Sequence, residues 1–329
     1  MSDFIFWDDR AEGLGFVLAM LAAPKTGEIG LIVASAQGNV EAVTALLSDG
    51  VDPTSHGNEA LLWAAVSGFS SVVSLLLLSG ADARAHSNEP LMSAAYCGDA
   101  TTVKLLVEAG AEIGANDNAA LRAAAFKGQN EVLRYLLSVG ADVHALGGRA
   151  LVNAAFRGKS ETVRLLLDHG ANVHGCDNRA LCEAAAEGHW ETVQLLLAAG
   201  ANPAAGPGTE IRPLRSASER GHVRVVRQLL AAGAPADQNS DWPLMEACGN
   251  GHAEVARLLI KAGAHADAAN SYALFLAWTN GYHDIVALLK KAGGRWPSNK
   301  PPVPRDGTSH TALDAAMAGM LWNPKRTRH

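Results

Sequence analysis

The chain has 329 residues, of which 48% are hydrophobic and 5% aromatic, and its formal net charge is −6. The negative charge supplies no overall field that would attract nucleic acid, so nucleic-acid binding is disfavoured from the start. Abundant alanine and leucine instead suit thin helices that pack closely.

The first thirty residues predict a capping segment rather than a targeting signal. Asp3, Asp8 and Asp9 precede an apolar run at residues 14–23. A secretory signal requires positive charge at this place, and the run is too short to span a bilayer. We expect residues 1–30 to cover the end of the structure that follows. We also expect an intracellular, cytoplasmic protein that contacts no membrane, with reduced and mostly buried cysteines.

A block that opens on leucine recurs nine times between residues 31 and 293. Its period is thirty residues, with one widening by three residues after position 200, and glycines follow at fixed distances in every block. A fixed period of this size predicts a stack of small identical units. The leucines that open the blocks are Leu31, Leu61, Leu91, Leu121, Leu151, Leu181, Leu214, Leu244 and Leu274.

One block, residues 121–150, predicts two helices. Leu121, Ala124 and Ala125 fall on one helical stripe that ends at Gly128, and a second stripe, which begins at Val132, ends at Gly140. Each unit is therefore helix, tight turn, helix and loop. Alanine pairs in the first helices allow close helix contacts. A single unit buries too little to fold alone, so stacking is obligatory.

The stretches GADVHA (140–145), GANVHG (170–175) and GHWETVQLLLAAGANP (188–203) resemble the ankyrin repeat consensus. The resemblance covers about residues 31–293. It implies an all-α, curved solenoid in which the first helices and the loop tips, or fingers, line a concave face where partners usually bind. The family period is usually thirty-three residues, so the shorter period here implies short fingers with little β-hairpin. It also implies local turn hydrogen bonds from His189, His222 and His252.

The C-terminal residues 294–329 depart from the repeat. A proline-rich insertion occupies 296–310, a partial repeat that closes the stack follows at 313–321, and a basic tail ends the chain at 325–329. The sequence therefore predicts a cap at 1–30, a nine-repeat solenoid at 31–293 and a closing segment at 294–329.

No catalytic or metal-binding pattern stands out. The chain lacks a nucleophile elbow, a phosphate-binding loop and an HExxH motif. His144 and His174 share one loop position in consecutive repeats, but packed helices lie about 10 Å apart, which is too far for one ion. We predict a non-catalytic protein with no metal and no cofactor.

Two sets of equivalent positions, which we call columns, vary in residue type from repeat to repeat. These two columns predict the binding surface. One column gives aromatic residues in three consecutive repeats, and basic residues follow two of them. The other, two residues before each leucine, changes from acidic to basic to aromatic along the chain. Such aromatics are equally compatible with packing between helices, and such charges with ordinary solvated surface. The candidate partner-binding residues are Tyr96, Arg122, Phe126, Lys127, Arg149, Phe156, Arg157, Arg179, Arg212, Arg215, Trp242 and Tyr272.

These columns favour a protein-protein interaction module that acts as a scaffold, adaptor or inhibitor. Arginine and aromatic residues anchor interfaces, and the basic patch indicates a partner with an acidic or phosphorylated segment. One alternative is nucleic-acid binding through the same patch and the basic tail. A second is an enzyme that uses residues 296–310 as an active-site loop.

Overall fold

A computed structural model describes residues 27–205 and 212–296 of the chain. Over these residues the chain forms eighteen α-helices in nine pairs and no β-strand, which confirms the predicted all-α repeat fold. The helices are α1 Gly27–Ala36, α2 Val40–Ser48, α3 Ser55–Ser67, α4 Ser70–Leu78, α5 Ala85–Cys97, α6 Ala100–Glu108, α7 Ala115–Lys127, α8 Asn130–Ser138, α9 Ala145–Phe156, α10 Ser160–Asp168, α11 Gly175–Ala186, α12 Trp190–Ala198, α13 Pro213–Glu219, α14 Val223–Ala231, α15 Gln238–Gly249, α16 Ala253–Lys261, α17 Ala268–Thr279 and α18 His283–Lys291.

The described residues form two compact units, one that ends at residue 235 and one that begins at residue 236. The first unit contains α1 to α14, and the second contains α15 to α18. Within each unit, the first helix of a pair packs on its own second helix and on the first helix of the next pair. The second helices pack on one another in the same order.

Glycine ends the first helix of a repeat, as the sequence predicts. Gly128 has a φ of 83°, and its N–H donates to the carbonyl of Ala124 at 2.9 Å. A Cβ atom at Gly128 would lie 2.9 Å from Cδ of Lys159 in the next repeat. Glycine is therefore favoured there both by the left-handed backbone and by the close neighbour.

The predicted alanine pairs lie where first helices pack most closely. All are completely buried, and a larger side chain would force the helices apart. The pairs are Ala64 and Ala65, Ala94 and Ala95, Ala124 and Ala125, Ala154 and Ala155, and Ala184 and Ala185.

The fingers are short. A hairpin would require a longer loop, and in the described fingers a left-handed turn takes its place. In α7 the turn comprises Asn116, Asp117 and Asn118, whose φ angles are 50°, 55° and 57°. Asparagine and aspartate tolerate this conformation better than most residues. The right-handed helix begins only after the turn.

The last residue of this turn joins most of the described repeats to the next. Oδ1 of Asn118 accepts a hydrogen bond from the N–H of Asp142 at 2.8 Å. We call the series of equivalent bonds the asparagine ladder, although aspartate and serine replace asparagine in the second unit. Its other bonds run from Asp82 to Asn58, Glu112 to Asn88, Asn202 to Asn178, His265 to Asp241 and Arg295 to Ser271.

The residue after the turn glycine makes a second bond between repeats. Nε2 of His189 lies 3.0 Å from the carbonyl oxygen of Phe156, and Nε2 of His222 lies 2.9 Å from that of Ala186. The prediction of a local turn bond is therefore wrong for both histidines, because the ring reaches back over the glycine of the preceding repeat.

Several predicted segments lie outside the described residues. These are residues 1–26 of the cap, the 206–211 part of the widened loop, and residues 297–329 with the rest of the proline-rich insertion, the closing repeat and the basic tail. Residues 27–30 form the first turn of α1. None of the described helices is both long enough and apolar enough to cross a membrane.

Candidate protein-binding surface

The first helices leave one narrow strip of side chains accessible in the first unit. In α9, Arg149 and Phe156 are half-buried, whereas residues 150–155 between them are buried. Residues seven apart lie on one side of a helix, two turns from each other. We call this strip, and the same positions in the neighbouring repeats, the first-helix face.

Cations cover two of the three aromatic rings on this face. Nζ of Lys127 lies 4.2 Å from the ring centre of Tyr96, and the guanidinium carbon of Arg157 lies 4.8 Å from that of Phe126. Both distances are typical of cation–π contacts. The two predicted columns therefore meet across the repeat boundary, and the rings are half-buried rather than fully packed between helices.

The pattern changes at Phe156. The residue equivalent to Lys127 and Arg157 in the next repeat is Glu187, whose Oε1 accepts a bond from Nη1 of Arg220 at 2.6 Å. The position that supplies a cation to Tyr96 and Phe126 therefore supplies a carboxylate beside Phe156. Of the three aromatic residues, Phe156 is therefore the one whose ring is not covered by a cation from the position of Lys127 and Arg157 in the next repeat.

The arginines of the finger column differ in their contacts. Arg179 pairs with Glu183 at 2.9 Å on α11, and Arg212 donates to the carbonyl of Ala204. Nη2 of Arg122, on a nearby turn, donates to the carbonyl of Asn116 at 2.9 Å. Arg149 makes no ion pair with any residue of the described ranges. No described residue therefore neutralises the charge of Arg149.

The structure does not bring all twelve candidate residues into one unit. Ten lie in the first unit, whereas Trp242 and Tyr272 lie in the second. Tyr272 stacks on Phe275 with ring centres 5.9 Å apart. Arg215 is half-buried in α13 within the first unit. The candidate surface that lies within a single unit is therefore the first-helix face of the first unit.

Sequence reasoning missed the acidic partners on this face. Glu183 neutralises Arg179, and Glu187 neutralises Arg220. The first pair has the i, i+4 spacing that favours ion pairs on a helix, so that signal was available. The second pair joins equivalent positions of adjacent repeats, and only the stacked structure shows that these side chains meet.

The cysteines and acids form no metal-binding arrangement within the described ranges. No three His, Cys, Asp or Glu side chains there come together in a way that could hold an ion. Burial raises the pKa of the Cys182 and Cys248 thiols to about 12. Cys97 is exposed and Cys176 half-buried, so the prediction of mostly buried cysteines is wrong for these two.

These features define a class of protein: stacked helix pairs with a uniform loop edge and a variable face on the first helices. A family model described as ankyrin repeats in three copies matches residues 14–87, 31–117, 78–146, 121–206 and 214–296. The chain belongs to the ankyrin repeat family.

Comparison with solved structures agrees with this membership. The chain is similar to the crystal structure of the human ASB11 ankyrin repeat domain, with 25% sequence identity and a TM-score of 0.57. The match covers 62% of this chain and 98% of that domain. A comparison with curated proteins returned no match.

Proposed function

We propose that this protein is a non-catalytic interaction module that binds a protein partner on the first-helix face, as a scaffold, adaptor or inhibitor. Ankyrin repeats are generally protein–protein interaction modules. The observation that carries the proposal is the position of Arg149 and Phe156 on α9, where a charge that makes no ion pair with a described residue lies two turns from a half-buried ring.

The chemistry of this pair indicates what the partner presents. Arginine binds carboxylates and phosphates through two parallel hydrogen bonds, and a phenylalanine ring offers apolar surface. Arg157 adds a second positive charge next to Phe156 while it covers Phe126. The partner segment therefore carries an acidic or phosphorylated residue close to an apolar side chain.

Binding by this surface requires little rearrangement. The Arg157 and Lys127 side chains are already held on aromatic rings, and Phe156 is fixed at the end of a packed helix. Association with a preformed surface avoids part of the entropy cost of ordering flexible side chains. The mechanism is equilibrium binding, with no chemical step.

The same contacts favour a protein over a nucleic acid as the partner. Glu183 and Glu187 neutralise two of the arginines on this face. A phosphate backbone is bound most strongly by a row of basic side chains whose charges are not neutralised by nearby acids. We place the protein inside the cell, most simply in the cytoplasm. An exposed free thiol at Cys97 fits a reducing compartment.

The test compares two double variants in affinity capture from the native cell, measured by quantitative mass spectrometry. Arg149→Glu/Phe156→Ala alters the first-helix face. Arg134→Glu/Tyr135→Ala makes the same kinds of change on α8, a second helix of the same unit. Loss of two anchor residues should weaken partner binding at least about 30-fold, which corresponds to about 2 kcal/mol.

The control variant should retain the partner, and both variants should unfold at urea concentrations close to that of the parent protein. If the face variant recovers its partners as well as the parent does, the first-helix face is not the binding surface. If only the α8 variant loses them, the partner binds the second helices instead.

A further inference from the structure

Charge is divided unequally along the first unit. Residues 27–118 contain eleven acidic and two basic side chains, a net charge of −9 with histidine neutral. Residues 119–235 contain ten acidic and thirteen basic side chains, a net charge of +3. The whole-chain value of −6 hides this division. A partner that lies along the stack therefore meets a negative half and then a positive half.

The division extends onto the first-helix face itself. Glu59 occupies the position in α3 that Arg149 occupies in α9, and both side chains are half-buried. Nε1 of Trp63 donates to Glu59 at 2.7 Å, which orients the carboxylate without removing its charge. Glu28 lies one repeat earlier at the start of α1, one residue before the position that matches Glu59, and His56 Nδ1 lies 3.3 Å from its carboxylate.

The repeat sets the distance between the two charges. Glu59 and Arg149 are three repeats apart, and packed helices lie about 10 Å from each other, so the charges are separated by about 30 Å. An extended polypeptide advances about 3.3 Å per residue, so about nine residues span that distance.

We propose that the partner segment on the first-helix face is an extended polypeptide with a basic cluster and an acidic cluster, centred about nine residues apart. The basic cluster is centred over Glu59, with Glu28 beyond it at the start of α1, and the acidic cluster lies over Arg149 and Arg157. The proposal rests on the proposed function and specifies the chemistry of its partner.

The charge order acts mainly on register. Exposed ion pairs contribute little each, and complementary potentials chiefly exclude wrong partners and fix alignment. A segment shifted by two or three repeats would place its acidic cluster against Glu89 or Glu59. A uniformly charged segment is attracted by one half of the face and repelled by the other.

A second copy of this chain is a weaker candidate for the occupant. Two antiparallel copies would place each negative half against a positive half, but −9 against +3 leaves most of the negative charge uncompensated. Two copies of net charge −6 also repel each other at long range. A separate segment with balanced clusters matches the face better.

The test uses two labelled peptides of identical composition and measures their binding to the full chain by fluorescence anisotropy at low ionic strength. One peptide carries three lysines and three glutamates in clusters centred nine residues apart. The other alternates the same residues along the same length. The segregated peptide should bind at least tenfold more tightly, and added salt should reduce the difference.

Two protein variants with equal changes in net charge locate the effect. Glu28→Lys/Glu59→Lys should remove the preference for the segregated peptide. Glu131→Lys/Glu191→Lys, which alters exposed acids of α8 and α12, should preserve it. Glu28→Gln/Glu59→Gln should reduce the preference in part and replaces the lysine variant if that protein does not fold.

Equal binding of the two peptides by the parent protein would overturn the proposal. So would a preference that survives in Glu28→Lys/Glu59→Lys. A dimer in sedimentation velocity that this variant disperses would assign the face to a second copy. The two peptides could bind equally while Arg149→Glu/Phe156→Ala still loses the native partner. That result would support the first-helix face as the binding surface and contradict only the proposed order of charges in the partner.

Discussion

The loop edge and the first-helix face of the first unit follow opposite rules. Along the loop edge, Asn58, Asn88 and Asn118 each make the same hydrogen bond to the next repeat. On the first-helix face, the neighbouring column changes from Glu59 through Ala119 to Arg149. Residues that hold this stack are nearly constant, whereas residues of the proposed binding face vary, so we expect stability and binding to respond to different substitutions.

The largest expected effect on the loop edge is at Gly175. A Cβ atom there would lie 2.2 Å from the carbonyl oxygen of Gly147, a backbone atom of the preceding repeat. Gly175→Ala should lower the free energy of unfolding by about 2–4 kcal/mol, because two loops must move apart. Urea unfolding followed by circular dichroism measures the change.

Gly114 provides the matched control for this substitution. It lies in the equivalent loop two repeats earlier, one residue before the position that matches Gly175, and a Cβ atom added there meets no heavy atom within 4 Å. Gly114→Ala should leave stability unchanged or raise it slightly, because alanine restricts the unfolded chain. Equal losses in the two variants would show that contact with Gly147 is not the cause.

A smaller loss is expected when one bond of the asparagine ladder is removed. Asn118→Ala deletes the acceptor of the Asp142 N–H and places alanine at a φ of 57°. The free energy of unfolding should fall by about 1–2 kcal/mol. Asn118→Asp retains an acceptor, as Asp241 does in the second unit, and should recover most of the loss. If both variants lose the same amount, the hydrogen bond is not what stabilises this joint.

The smallest expected effect is a gain at Gly148. Gly148 occupies the ladder position of its repeat, whereas the other four repeats of the first unit with described turns have asparagine at that position. A Cβ atom there would have its nearest neighbour, the Asn172 carbonyl oxygen, at 3.8 Å, so a side chain fits. Gly148→Asn should raise the free energy of unfolding by about 0.5–1 kcal/mol by adding the missing bond. A lower unfolding midpoint would show that the loop geometry differs from that of its neighbours.

The sequence predicted the frame well because local rules determine it. Leucine and glycine at fixed intervals specify where each helix begins and ends, and the alanine pairs specify close packing. The asparagine ladder was missed although Asn58, Asn88, Asn118 and Asn178 recur in phase. A recurring asparagine indicates a turn, but it does not show which N–H its side chain accepts.

The candidate surface was predictable only in part. The columns correctly placed Tyr96, Phe126 and Phe156 at one position of the repeat, and the structure shows what lies over two of them. Whether Lys127 covers Tyr96 depends on the offset between stacked helices, which the sequence does not contain. The exposure of Cys97 depends on the same offset.

Site-specific photo-crosslinking tests the separation of frame and binding surface most directly. Benzoylphenylalanine replaces Phe156 on the first-helix face in one protein and Tyr135 on α8 in another, and both proteins are irradiated with the native cell extract. The account predicts a partner adduct of discrete mass from position 156 and none from position 135. Adducts from position 135 alone would contradict it.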